Sequence, residues 1–233
     1  MATGDFEGFD FEIAEEVARS LGVQMRPVAI PYSQRVQVLS GEGQPEGKPT
    51  VDMVIDTFTI NCARDQQIDF STQYLSAGQK VLVPEPLVDQ FPEGIKDFGP
   101  DQTVCAPYGS TSIANLSDPA IVGDDGPEVR GAESQAECLV LLQEGQVDAL
   151  SGDDTVLAGF VAQDPNLAII GDRFTPEPYG IGVPPDQGDW LAYVNGVLDE
   201  LRTSGRWKAL YDEFLAGPLR EPDTQPPTPQ YDG

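Results

Sequence analysis

The sequence predicts an α/β protein built as two lobes, on three observations. Near its start, apolar residues at helical spacing are followed by short β-prone runs, so that helix and strand alternate and imply a mostly parallel sheet covered by helices. Pro84, Pro86 and Pro92 then interrupt the pattern. Beyond them the alternation restarts and continues for about as long again. A chain of 233 residues is long enough to bury a sizeable core in either one large domain or two small lobes.

Taken in order, Ile13, Val17 and Leu21, with Ala14 and Ala18 beside them, place a helix over Phe9 to Leu21, with Asp10 as a possible cap and Gly22 as its stop. Met25 to Ile30 reads as a strand, Gln34 to Leu39 as a short helix, and Val51 to Ile55 as a buried strand after a Gly/Pro-rich loop from Gly41 to Thr50. Val81 to Val83 is a further strand. In the second lobe, strands are expected at Thr103 to Ala106, near Val129, at Ala149 to Leu150 and at Ala168 to Ile170. Helices are expected to start at Gly109 to Ser112 and to cover Ser134 to Gln143 and Thr155 to Gln163. Gly180 to Val183 reads as a returning strand, followed by helices around Trp190 to Leu201 and Trp207 to Leu215. From Gly217 the chain is Pro-rich and polar, which predicts an extended or disordered tail. The lobes are thus expected over 1–83 with 181–216, and over 84–180, with 217–233 as the tail. No internal repeat is visible.

The net charge is −26, which repels phosphate backbones and anionic lipid headgroups and argues against nucleic-acid or membrane-surface binding. Histidine is absent altogether, which removes the usual general base, the Ser-His and Cys-His nucleophile pairs and the commonest zinc ligand. No metal site and no cofactor is expected. Cys62, Cys105 and Cys138 lie too far apart for a CxxC motif, so pairing of two of them suits a compartment outside the cytosol. No stretch is long and apolar enough to span a bilayer, and no basic and apolar leader opens the chain.

Three stretches together resemble family 3 of the bacterial extracellular solute-binding proteins, the polar amino-acid binders of ABC importers. They are Gly8-Phe9-Asp10-Phe11-Glu12-Ile13-Ala14; the run from Val51 through Asp52-Met53-Val54-Ile55 to Thr57-Phe58-Thr59-Ile60, with Arg64 and Ile68-Asp69-Phe70-Ser71; and Gly109-Ser110-Thr111-Ser112 with Gly145-Gln146-Val147-Asp148-Ala149 and Asp153. Cys105, Cys138, the Gly152-Asp153-Asp154-Thr155 run and the Pro178-Tyr179-Gly180-Ile181-Gly182 run look like the actinobacterial glutamate-binding lipoproteins within that family. The resemblance implies a two-lobed periplasmic-binding-protein-like (type II) fold with a cleft between the lobes and hinges near Gln79 to Pro86 and Tyr179 to Pro184. It also implies a monomeric, extracytoplasmic protein, lipid-anchored in its full-length form, whose partners are an amino acid and either an ABC permease or a membrane sensor. Family members place a strand before the glycine-aromatic-acid signature. Only seven residues precede Gly8, so the first strand of lobe 1 is expected to be missing and Met1 to be an internal methionine of a longer protein.

An amino-acid zwitterion needs a planar cation, an anion and a selector for its side chain. The resemblance gives Arg64 the α-carboxylate, which a guanidinium can grip through both oxygens. Gly109, Ser110 and Thr111, at a helix start after a strand, would complete the carboxylate's hydrogen bonds. Asp153 would take the ammonium at a strand end, helped by the Thr59 hydroxyl and the Thr57 carbonyl. Arg35 matches an arginine that contacts the distal carboxylate in glutamate and aspartate binders, and Phe58 would line the pocket. Asp154 reads as a helix cap or a support for its neighbour. The resemblance also pairs Cys105 with Cys138, closing a loop of roughly 30 residues worth about 3 to 4 kcal/mol and leaving Cys62 as a free thiol.

Two rival readings remain. The same fold hosts a dehydratase of cyclic prephenate-like acids, for which Asp153 or Asp154 could supply the acid/base group, but no second proton-transfer group is visible. A sensor module would use the same binding chemistry, read by a membrane partner.

Overall fold

A computed structural model of the chain describes residues 6–43 and 49–230. In chain order its elements are helices α1 (Phe9–Leu21), α2 (Arg35–Ser40) and α3 (Cys62–Asp65), then strands β1 (Asp69–Phe70), β2 (Leu75–Pro84) and β3 (Thr103–Pro107). They continue with α4 (Thr111–Leu116), α5 (Pro119–Val122), β4 (Glu128–Ala132), α6 (Gln135–Gln143), β5 (Ala149–Asp153), α7 (Asp154–Gln163), β6 (Leu167–Tyr179) and β7 (Gly182–Val183). The chain closes on α8 (Gly188–Ser204), α9 (Arg206–Phe214) and α10 (Ala216–Leu219). It divides into two compact units. Unit 1 takes the chain up to Ala29, Arg35–Ser76 and everything from Pro178; unit 2 takes Ile30–Gln34 and Ala77–Glu177.

In unit 1, α1 buries Phe9, Ile13, Ala14, Val17 and Ala18, the i, i+4, i+8 face that its spacing predicted. Gly22 ends it in the left-handed conformation, φ 70°, as a glycine C-cap does. Phe9 meets Tyr74, Trp207 and Tyr211 in an aromatic cluster, and the Trp207 indole donates to the Tyr74 carbonyl at 2.7 Å. Each such fully buried side chain contributes about 1.5 to 3 kcal/mol. The strands here are short: β1 pairs antiparallel with β7, and Val54 exchanges both backbone hydrogen bonds with Gly182.

In unit 2 the sheet runs in the order β4-β3-β5-β2-β6. β3 is parallel to β4 and β5, while β2 runs antiparallel to β5. Alternation of period two sorts the strand residues onto two faces. Val81, Val83, Val104, Ala106 and Ala149 pack with Ile95, Phe98 and Leu116; Leu82, Cys105 and Leu150 pack with Cys138 and Leu142 of α6 and Leu157 of α7. Cys105 and Cys138 form a disulfide, and Cys62 is an exposed free thiol.

Four local expectations fail. Met25 to Ile30 is not a strand: Pro27 lacks a donor, Val28 is exposed, and the run pairs with no strand among the described residues. Val51 to Ile55 reduces to the single bridge at Val54. Asp10 does not cap α1; Gly8 holds the N-cap position without a side-chain bond, and the Asp10 carboxylate is used elsewhere. The tail begins with α10, and Thr224 beyond it meets the Tyr211 hydroxyl at 3.1 Å. The expected loop from Gly41 to Thr50 lies in part, and the end of the tail from 231 wholly, outside the described residues.

Candidate functional site

The candidate site residues of unit 1 are Arg35 on α2 and four residues of the segment 57–64. Thr57 is held at φ 44°, left-handed backbone that a β-branched residue seldom adopts. Its N–H donates to Asp10 Oδ2 at 2.7 Å, and the Tyr74 hydroxyl donates to Asp10 Oδ1 at 2.8 Å. Arg35, 2% exposed, donates from Nη1 to the Asp56 carbonyl at 2.7 Å and to the Thr57 carbonyl at 3.4 Å. Arg64, 8% exposed, donates from Nη1 to the Thr59 carbonyl at 2.6 Å, while Asn61 caps α3 by accepting the Arg64 N–H. Both guanidinium carbons lie over the ring of the buried Phe58, at 4.7 Å for Arg35 and 4.8 Å for Arg64. Cation–π attraction therefore adds to the carbonyl bonds in fixing the two cations. Thr59 bridges to Tyr179, and the flanking Phe58 carbonyl accepts the Gly180 N–H.

Burial governs the ionisation of this cluster. It lifts the Asp10 carboxyl to about 6 against the lowering pull of its bonds from Thr57 and Tyr74, with the Asp56 charge adding to the rise and the Arg35 charge opposing it. Asp56 is raised by the same burial, partly offset by Arg35. The Tyr74 phenol is pushed well above its ordinary value by burial and by the Asp10 charge.

In unit 2, β3 runs into a turn at Gly109, φ 74°, where an added Cβ would collide with the backbone of Ser33. Ser110 is the N-cap of α4, accepting the Ile113 N–H at 3.2 Å and donating its hydroxyl proton to the Pro107 carbonyl at 2.7 Å. The Thr111 hydroxyl donates to Glu177 Oε2 at 2.7 Å. Glu177, 1% exposed, also accepts from Asn115 and Thr175, and Gln79 joins them to Ser112 and Ser151. Both hydroxyl protons at the start of α4 are thus donated within the protein. Asp153, 6% exposed, ends β5 and takes the N-cap position of α7 with no side-chain cap bond. Asp154 accepts from the Gly78 N–H at 3.3 Å and from Arg173 Nε.

Sequence reasoning placed Arg35, Thr57, Phe58, Thr59 and Arg64 in the site, and in unit 1 the two arginines lie over the Phe58 ring while the Thr57 and Thr59 carbonyls accept from them. Gly109, Ser110 and Thr111 share one turn in unit 2, and Asp153 stands at the end of a neighbouring strand of the sheet. It missed Asp10, which looked like a cap, the buried Glu177 and Gln79, and the half-buried Asn115. Glu177 falls between the expected strands Ala168 to Ile170 and Gly180 to Val183, so nothing in the sequence marked it as part of β6.

Residues 1–217 match the family model of bacterial extracellular solute-binding proteins, family 3, and the chain belongs to that family. Among curated relatives, the ABC transporter glutamine-binding protein GlnH of Bacillus subtilis (strain 168) is 30% identical over 92% of this chain and 74% of its own length. The glutamate-binding protein GluB of Corynebacterium glutamicum is 27% identical over 89% of this chain and 70% of its own. Among solved structures, an ancestral arginine-binding protein bound to arginine superposes with a TM-score of 0.79 at 27% identity, covering 92% of this chain and 91% of that one. These neighbours are two-lobed binding proteins of the type II periplasmic-binding fold, and the chain shares that fold. Among the described residues no helix is long and apolar enough to cross a membrane.

Proposed function

We propose that the chain captures an α-amino acid, glutamate first and otherwise aspartate, glutamine or asparagine, outside the cytoplasm for delivery to an ABC importer, and that it performs no turnover. The observation that carries this reading is Arg64, a buried guanidinium fixed by the Thr59 carbonyl and the Phe58 ring inside the family's central motif. A preorganised planar cation suits an α-carboxylate, because its ordering cost is met before the ligand arrives. Unit 1 supplies Arg64, with the Thr59 hydroxyl and the Thr57 carbonyl toward the ammonium, and Phe58 as apolar lining. Unit 2 supplies Asp153 for the ammonium and the N–H groups at Gly109, Ser110 and Thr111 for the carboxylate.

The lobes of this reading are 1–83 with 181–216 and 84–180, closing on the ligand. Arg35, a second buried cation beside the first, favours an acidic ligand side chain, since a chain of net charge −26 otherwise repels one. The ligands of the relatives, glutamine, glutamate and arginine, support an α-amino acid and leave its side chain to the selector.

Calorimetric titration of the purified protein with L-glutamate, L-aspartate, L-glutamine, L-asparagine and prephenate tests this, with product analysis of the prephenate sample. Saturable micromolar or tighter binding of an amino acid with prephenate unchanged is the expected result. Conversion of prephenate, or a folded protein that binds no amino acid, overturns it.

A further inference from the structure

We propose that Asp10 is a positioning residue for ligand capture: its carboxylate holds Thr57 in left-handed backbone and so sets the segment 56–59 from which Arg35 and Arg64 are fixed. The proposal rests on the reading above that this segment carries ligand contacts. Asp10 lies on α1, 47 residues from Thr57, and its two oxygens meet two donors, the Thr57 N–H and the Tyr74 hydroxyl. An acceptor-only group matches both donors; a neutral acid or an amide presents a donor of its own to one of them. The carbonyls of Asp56 and Thr57 accept from Arg35 and that of Thr59 from Arg64. A change in φ at Thr57 would therefore swing the very oxygens that anchor both cations.

The geometry makes binding depend on the charge of Asp10. The titratable and charged groups toward it are Tyr74, Asp56 and Arg35. From the other side of α1, α9 brings Trp207 and Tyr211 against Phe9, while Arg206 pairs with Glu12 and Glu16. Its carboxyl is raised to about 6 from 3.8, so two pH effects of opposite sign follow. The contribution of Asp10 to fold stability is fully present below about 4 and is lost as pH rises through about 6. Ligand affinity instead is full above about 6 and falls as the carboxylate protonates. A residue with a merely structural role would move both in the same direction.

The test measures Kd for L-glutamate and L-glutamine by calorimetry at pH 7.5 and 5.0, with thermal unfolding alongside, in wild type, Asp10→Asn, Thr57→Gly and the double variant. Asp10→Asn is expected to weaken binding about tenfold at pH 7.5, a free-energy change of about 1.4 kcal/mol, and to flatten the pH dependence. Glycine adopts φ 44° without strain, so in the Thr57→Gly background the same substitution should cost less than half that factor. Unaltered affinity in a folded Asp10→Asn variant, or an equal penalty in both backgrounds, overturns the proposal. Should Asp10→Asn fail to fold, Tyr74→Phe, which removes one donor from Asp10, must move the fall in affinity to higher pH, and an unmoved profile overturns it. A wild-type chain that binds neither probe, nor any other amino acid, overturns the capture reading itself and this proposal with it.

Discussion

In unit 2 the chain passes from β3 to α4 through Gly109 and Ser110, and the turn is shaped by contacts three residues away, from Ser110 to Pro107 and from Ile113 to Ser110. In unit 1 the segment 56–64 is framed so only at its far end, where Asn61 caps α3 and Arg64 bonds Thr59 five residues back. Its Thr57 is held by a carboxylate 47 residues earlier, and its Asp56 carbonyl by an arginine 21 residues earlier. The first arrangement puts site residues at regular strand and helix ends, where backbone N–H groups are already oriented. The second packs Arg35 of α2 and Arg64 of α3 against an irregular stretch at 56–59, whose near end is held by long-range polar contacts. On the proposed reading the cations for the ligand's carboxylates therefore lie in unit 1, and the start of α4 offers mainly backbone.

The largest test of that division is Arg64→Ala. It removes the guanidinium proposed to grip the α-carboxylate and should weaken L-glutamate binding more than about a hundredfold by calorimetry, because charge-assisted bonds of this kind are worth about 1.5 to 3 kcal/mol each. Thr111→Ala should cost less than about tenfold, since its hydroxyl proton is already given to Glu177. Equal losses in the two variants would break the comparison.

A stability test comes next. Cys105 on β3 and Cys138 on α6 tie 33 residues of unit 2 together. Replacing both by Ser should destabilise the fold by about 3 to 4 kcal/mol in denaturant titrations. The loss should appear as faster hydrogen exchange in β3 and α6, with the amides of residues 57–64 in unit 1 unchanged. Matching acceleration in both regions would show that the disulfide supports the loop as well.

The same division explains what could be read from the sequence. The helices α1, α6 and α7 and strand β3 follow from caps, spacing and β-prone runs, because the forces that form them act within a few residues. Val51 to Ile55 has strand composition, yet only Val54 finds a partner, and no local pattern says where a partner lies. Asp10 stood where a helix cap stands, and its use as a clamp on Thr57 depends on the chain's return 47 residues later. Arg64 stands in the family's central motif and Arg35 matches an arginine of glutamate and aspartate binders, so the resemblance alone brought both forward as candidates. Their shared packing on Phe58 was not legible, since it is a property of three side chains brought together by the fold.

The smallest expected effect probes the local side of the comparison. Ser134 caps α6 by accepting the Glu137 N–H at 3.1 Å, and Glu137 reaches back to accept the Glu133 N–H at 2.8 Å. Two donors at the helix start are satisfied by residues within one turn, close to a capping box. Ser134→Ala should therefore cost about 1 kcal/mol of stability, and Ser134→Asp should restore most of it, because aspartate caps equally well. Neither should alter ligand affinity, since the effect of a cap ends within its own turn. A change in L-glutamate Kd with either variant would mean that the start of α6 is coupled to the ligand, and the contrast between a locally capped helix in unit 2 and the remotely held Thr57 in unit 1 would then have to be given up.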